Sequence, residues 1–166
     1  MFDWDNYFIK QKNHHLHPQV AKYKKLETKK LLSKWLKKKK NLKILKTDCY
    51  EEVFIYDSIA DMFEKNLTII DISKVAIQRA KKNFPKNKFL SADISSLPFK
   101  NKSFDIIISL STLDNLPFKK FRKAIREIHR VLKPKGKLII TIDNGENILY
   151  NFFHRINKIL HILPYF

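Results

Sequence analysis

Three carboxylates stand at matching stations in this 166-residue sequence: Asp48, Asp71 and Asp93 each follow a short apolar run. Asp48 and Asp71 lie 23 positions apart, close to the spacing between a first ligand-binding turn and a ribose-binding carboxylate in nucleotide-binding sheets. If the runs are parallel strands, their tips line one edge and meet a nucleoside. Asp71 then accepts hydrogen bonds from a ribose diol and Asp93 from the exocyclic amine of a purine, with Ile72 and Ile94 sandwiching the ring. Asp is also a common turn residue, so Asp71 reads equally as an ordinary strand-to-helix turn.

The elements that must position these residues follow from patterning. Leu67 to Ile70 is a β-branched, apolar run that reads as a buried parallel strand ended by Asp71. Ser73 is placed to cap a helix to about Asn83, with Ala76, Ile77, Ala80 and Phe84 at helical spacing and Pro85 as the stop. Leu42 to Leu45 is a first strand, ended by Lys46, Thr47 and Asp48. Glu51 to Phe63 reads as a helix that Asp57 and Ser58 could restart. Lys88 to Leu90 is a third strand, and Ser95 to Phe104 a loop. Phe104 to Leu110 is the most apolar strand and reads as the central one. Phe118 to Leu132 gives the cleanest helix, with Phe121, Ala124, Ile125, Ile128, Val131 and Leu132 on one face. Lys133 to Gly136 supplies a tight turn, and Leu138 to Ile142 a fifth strand. Strands alternating with helices predict an α/β, doubly wound, mostly parallel sheet of about five strands with flanking helices.

Three segments organise the chain: a basic arm and helix over 1–40, a core over 41–145 and an apolar helix over 146–166. The arm mixes Phe2, Trp4, Tyr7 and Phe8 with polar residues and reads as loosely structured, laying aromatics on the body. Val20 to Lys40 reads as a basic amphipathic helix. The apolar helix, Asn147 to Leu163, packs on the sheet or seeks a partner or membrane surface.

Net charge is +18, from 34 Lys and Arg against 16 Asp and Glu, which raises RNA and anionic membranes as partners through weak, non-specific contact. Only 5 of the basic residues are Arg, so a compositional bias explains the surplus as well as a binding face does. One cysteine, Cys49, excludes an internal disulfide and favours a reducing, cytoplasmic setting. It has no His partner and reads as a small buried hydrophobe. No run reaches the roughly 20 apolar residues of a membrane span. His14, His15 and His17 lack supporting ligands, so no metal site is expected. His129, within a helix beside its apolar face, and Asp105, at a strand start, read as structural.

The runs TIIDIS (68–73), FLSADISSLPFKNKSFDIIISLSTLDNL (89–116) and AIREIHRVLKPKGKLIIT (124–141) together resemble class I S-adenosylmethionine-dependent methyltransferases. The likeness is strongest to the group similar to the ubiquinone and menaquinone C-methylases. The resemblance implies a Rossmann-like fold and S-adenosylmethionine as cofactor, with Asp71 on the ribose, Asp93 and Ile94 flanking the adenine, and Ser109 and Ser111 beside the methionine part. It further implies a small-molecule methyl acceptor, with Asp114 and Asn115 facing it or capping the next helix.

Two departures from the family stand out. Its first turn carries an acidic residue and then Gly-x-Gly, for close backbone approach. Here ILKTDCYEE takes that place, with Thr47 and Asp48 facing the cofactor's amino-acid end, Asp48 pairing its ammonium, and side chains crowding the approach. The family also adds two further strands, so here either the chain is a fragment or the last helix or a partner covers an open sheet edge. Besides a small-molecule methyltransferase, the sequence therefore admits a non-catalytic binding or scaffold protein on the same fold, or an RNA methyltransferase that uses its Lys-rich surface.

Overall fold

A computed structural model describes residues 2–11, 26–27, 29–30, 32–33, 41–54, 59–63 and 66–141. Helix α1 spans Trp4–Lys10, followed by strand β1 (Ile44–Lys46), α2 (Tyr50–Phe54), α3 (Ala60–Phe63) and β2 (Leu67–Asp71). Then come α4 (Lys74–Asn83), β3 (Lys88–Ser91), β4 (Phe104–Leu110), a 3-10 turn (Leu113–Asn115), α5 (Phe118–Val131) and β5 (Leu132–Thr141). The five strands are ordered β3-β2-β1-β4-β5. Every pairing is parallel, which is the doubly wound arrangement expected.

The centre of the sheet is β1, not β4. Its three residues are all buried, whereas the longer and more apolar β4 lies one place outward. The expectation failed because length and apolarity measure how well a strand is covered, and both strands are flanked on each side.

Alternation along the strands sends side chains into two core layers. Ile44, Leu67, Ile69, Ile106 and Ile108 meet Ala76 and Ala80 of α4 with Phe8 of α1. Leu45, Ile70 and Ile107 meet Ala124, Ile128 and Val131 of α5. Burial on both faces explains why the strands read as continuous apolar runs.

Ser73 caps α4 as expected, its hydroxyl accepting from the Ala76 N–H at 3.0 Å. The helix read over Glu51 to Phe63 is two, α2 and α3, and residues 55–58 between them lie outside the described residues. Trp4–Lys10 is an ordered helix rather than a loose arm, because Asp3 caps it and Phe8 is buried against Phe54. Lys133 to Gly136 does not separate α5 from a strand. It bulges within β5, where the register jumps between Phe104 and Ile106. Lys135 takes the left-handed conformation there at φ 64°, and a Cβ on Gly136 would stand 2.8 Å from the Lys133 carbonyl oxygen.

His129 is exposed, following the buried Ile128 on α5. Asp105 does fix strand entry: it accepts from the Lys43 N–H at 2.9 Å and pairs with Lys133. His14, His15, His17 and the helix read over Asn147 to Leu163 lie outside the described residues, as does most of Val20 to Lys40. Among the described residues no helix is long and apolar enough to cross a membrane.

Candidate functional site

Strands β2 and β3 bring Asp71 and Asp93 to one edge of the sheet. Asp71 ends β2 opposite Ser91 of β3, and Asp93 follows two residues later. The Asp71 carboxylate accepts from the Ser73 N–H at 2.9 Å and the Cys49 N–H at 3.1 Å. No Lys or Arg pairs with it among the described residues. Burial pushes its carboxyl up, against the N–H bonds from Ser73 and Cys49. A carboxylate offers about four lone-pair directions, so Asp71 keeps acceptor capacity for hydroxyl donors at the rim. Ile72, next to it, is 42% exposed.

Asp93 is braced differently. One oxygen accepts from the Ser95 N–H and hydroxyl, and the other pairs with Lys120 of α5 at 2.9 Å. Burial works to raise its carboxyl, but the bonds from Lys120 and Ser95 prevail and hold it below the usual range. The two isoleucines are not equivalent. Ile72 offers a free face, while Ile94 is buried among Ile70, Leu97 and Leu113.

The order of the strands reverses between β1 and β4, where open α/β sheets form their ligand crevice. Here the turn after β1 carries a buried charged cluster. Lys46 ends β1 fully buried, and its ammonium meets Asp48 Oδ1 at 2.8 Å, the Asp48 carbonyl at 2.9 Å and Glu52 Oε2 at 2.9 Å. Glu51 lies 3.8 Å away. Burial alone would lower the Lys46 ammonium, but Asp48, Glu52 and Glu51 raise it well above its ordinary value. Burial conversely raises Glu52 to about 7, with Lys46 partly opposing. Cys49 is a free thiol, fully buried, and burial pushes it up.

The turns after β1 and β4 are also stitched together. The Thr47 N–H donates to the Ile108 carbonyl at 3.0 Å, and the Thr112 hydroxyl to Asp48 Oδ2 at 3.3 Å. The Thr47 and Ser109 hydroxyls are buried without partners among the described residues. Ser111 adopts φ 47°, and its N–H bonds Thr141 at the end of β5. Asn115 donates its side-chain amide to the Ser111 carbonyl at 2.8 Å, and both Asp114 and Asn115 are exposed at the rim. Neither caps α5, whose N-cap is Pro117 without a side-chain bond.

Sequence reasoning missed three contributors. Asp5 of α1 accepts from the Ser73 hydroxyl at 2.6 Å and the Val75 N–H at 3.2 Å, tying α1 to the start of α4 beside Asp71. The Ser73 bond pulls the Asp5 carboxyl down. Lys120 reaches Asp93 from α5. Lys46, read only as a strand end, anchors the whole first turn, and its signal was the carboxylates two, five and six residues later.

Set against S-adenosylmethionine, the cofactor the sequence resemblance implies, these residues divide. The adenosine end fits Asp71, Ile72 and Asp93. The amino-acid end meets a turn without glycine in which Asp48 already holds the ammonium of Lys46, while the Thr47 and Ser109 hydroxyls beside it are unpartnered among the described residues. Among the described residues no cluster suited to a metal ion occurs.

Comparison with known proteins bears on the fold and family. The sequence pattern of the family described as "Methyltransferase domain" matches residues 52–140, more than half of the chain, and begins just past the Lys46–Asp48 turn. An uncharacterized protein of Methanocaldococcus jannaschii, MJ0638, is 32% identical over 131 residues, covering 79% of this chain and 54% of that protein. The ubiquinone/menaquinone biosynthesis C-methyltransferase UbiE of Rickettsia bellii is 38% identical over 80 residues, covering 45% of this chain and 32% of that enzyme. The chain thus spans about half the length of such relatives or less. The crystal structure of the PH0226 protein from Pyrococcus horikoshii superposes with a TM-score of 0.68 at 22% identity, over 95% of this chain and 72% of that one, and so shares its fold. On the family match and the five-stranded parallel sheet together, this chain belongs to the methyltransferase domain family, with the Rossmann-like fold of S-adenosylmethionine-dependent methyltransferases.

Proposed function

We propose that the protein transfers a methyl group from S-adenosylmethionine to a small-molecule acceptor, with the β2–β3 rim as its adenosine site. One observation carries this reading: Asp71 is a half-buried carboxylate at a strand tip with two N–H donors and the Cys49 thiol, no cation partner among the described residues and exposed Ile72 beside it. A ribose diol supplies the donors such a group lacks. The bound cofactor would contribute a methyl group activated on a sulfonium. For its part the chain orients the nucleoside through Asp71, packs Ile72 against the ring, and leaves Asp114 and Asn115 at the mouth for the acceptor. Cys49, a buried free thiol, supports a cytoplasmic location.

Two further contacts belong to the proposal. Leu138 and Ile140 of β5 are 36% and 37% exposed, an apolar surface at the sheet's end that a partner or further chain would cover. The lysine surplus would give weak, salt-sensitive contact with RNA or an anionic membrane.

A second reading, binding without turnover, is favoured by the Lys46–Asp48–Glu52 cluster in the first turn. Calorimetric titration with S-adenosylmethionine and S-adenosylhomocysteine, alongside assay of methyl transfer, separates the two. Heat with turnover supports the enzyme and heat without turnover the second reading. Silence from the unaltered protein refutes both, and equal binding by Asp71→Ala removes Asp71 from the site.

A further inference from the structure

We infer that Asp5 of α1 is a positioning residue for the adenosine site: it holds Ser73, and through Ser73 it sets the Asp71 carboxylate that receives the ribose. The inference rests on reading the β2–β3 rim as that site.

Ser73 joins the two carboxylates. Its N–H donates to Asp71 Oδ1 at 2.9 Å and its hydroxyl to Asp5 Oδ1 at 2.6 Å. The same hydroxyl accepts from the Ala76 N–H at 3.0 Å, and the residue is buried. A hydroxyl has one proton to give. Given to Asp5, it is not spent on Asp71, and Ser73 is pinned through backbone and side chain at once. Asp5 Oδ1 also takes the Val75 N–H at 3.2 Å, so one oxygen of α1 ties down two donors at the start of α4.

Asp71 has few other restraints. Its Oδ2 accepts from the Cys49 N–H at 3.1 Å and lies 3.5 Å from the Cys49 thiol, and no Lys or Arg pairs with it among the described residues. A ribose diol presents two hydroxyls at a fixed separation, and a carboxylate that swings out of line meets only one of them. Groups that bind a ligand keep their geometry through the hydrogen bonds behind them. Asp5 supplies that backing from 68 residues before Ser73 in the chain.

Helix α1 has two further anchors that do not touch Ser73. Phe8 is buried with its ring stacked on Phe54 at 5.9 Å, and the Gln11 carbonyl just past the helix accepts from Arg79 of α4 at 2.7 Å. Losing the Asp5 bond should therefore leave α1 in place and change what Ser73 does.

The test compares three variants by calorimetric titration with adenosine. Asp5→Ala removes the oxygen and should weaken binding about tenfold, the scale of one hydrogen bond to a charged group. Asp5→Asn keeps an Oδ1 that can accept from Ser73 and Val75, and should restore most of that loss. Asp3→Ala removes the N-cap of α1, which accepts from the Asn6 N–H at 2.9 Å, and so loosens the helix without touching Ser73. Its affinity should match that of the unaltered protein. Unchanged affinity in Asp5→Ala overturns the inference while the adenosine site stands. So does an equal loss in Asp3→Ala, which would mean that α1 acts through overall stability, or Asp5→Asn binding as weakly as Asp5→Ala. No binding by the unaltered protein overturns the rim reading, and this inference with it.

A measurement on the unaltered chain decides the matter even if Asp5→Ala fails to fold. Coupling is reciprocal, so adenosine must hold α1 in place as strongly as α1 favours adenosine. Saturating adenosine should slow hydrogen exchange at the Tyr7 and Gln11 N–H groups, which bond the Asp3 and Tyr7 carbonyls, by up to about the same tenfold. Unchanged exchange there, with slowing at Ser73 and Cys49, overturns the inference.

Discussion

The turn after β1 and the tips of β2 and β3 occupy one edge of one sheet, yet they treat charge in opposite ways. In the turn, carboxylates gather around an internal cation, and the Thr47 hydroxyl and Glu52 Oε1 are left buried without partners among the described residues. At the rim, Asp71 is held by two N–H groups and the Cys49 thiol, and Asp93 by Ser95 and one lysine at the surface. Strand tips supply acidic side chains as a matter of topology. Whether these can hold a ligand depends on how much of their bonding the chain has already used.

The largest effect should come from breaking the turn. Lys46→Ala strands Glu52 and Asp48 in the interior, and breaking a buried ion pair in this way costs about 3–5 kcal/mol, readable as a lower urea midpoint. Lys46→Met/Glu52→Met should recover most of that loss, since replacing both partners by apolar groups is often close to neutral. Full stability in Lys46→Ala would mean that the turn is not held by this cluster.

Asp71→Ala should matter to both regions. It removes the acceptor for the Cys49 and Ser73 N–H groups, costing roughly 1–3 kcal/mol, and it should abolish calorimetric binding of adenosine. Loss of stability with binding intact would move the ligand away from β2. Asp93→Ala should cost less, about 1 kcal/mol, because its lysine partner is partly solvated.

The turn should also carry a pH signature. The folded-state value of Glu52 is raised to about 7 from 4.5, so the folded protein binds the extra proton between those limits. Its contribution is complete below about pH 4.5 and fades as pH rises through 7. Asp71, also raised by burial, acts in the same direction. Asp93 and Glu127 are lowered, so their contributions are present above the ordinary carboxylate range and fade in more acidic solution. In urea titrations between pH 5 and 8, Glu52→Gln should flatten the fall in stability. A steeper fall would reverse the assignment.

The smallest effect belongs to Ile72→Ser. With 42% of its surface exposed, it should change stability by no more than about 0.5 kcal/mol while weakening adenosine binding. A large loss of stability would show that Ile72 is a core residue, and its free face would be lost to the site.

Much of this was legible in the chain because it is local. The Ser73 cap, the strand Phe104–Leu110 and the helix face of Ala124, Ile128 and Val131 follow from spacing alone. So does the common edge of Asp71 and Asp93, given parallel strands. What stayed hidden depends on partners distant in sequence or on burial against expectation. Asp5 caps a helix 68 residues away. Lys46 looks like the polar end of a strand, and only the return of Glu52 on α2 lets its ammonium lie in the core. The centre of the sheet was misjudged because apolar content reports covering, not order.

The contrast between the two regions is most directly tested by following backbone amide resonances of the labelled protein during titration with adenosine. Shifts at Asp71–Ser73 and Ala92–Ser95 with none at Lys46–Asp48 are predicted. Shifts centred on Lys46–Asp48, with Asp71 and Asp93 silent, would contradict the account.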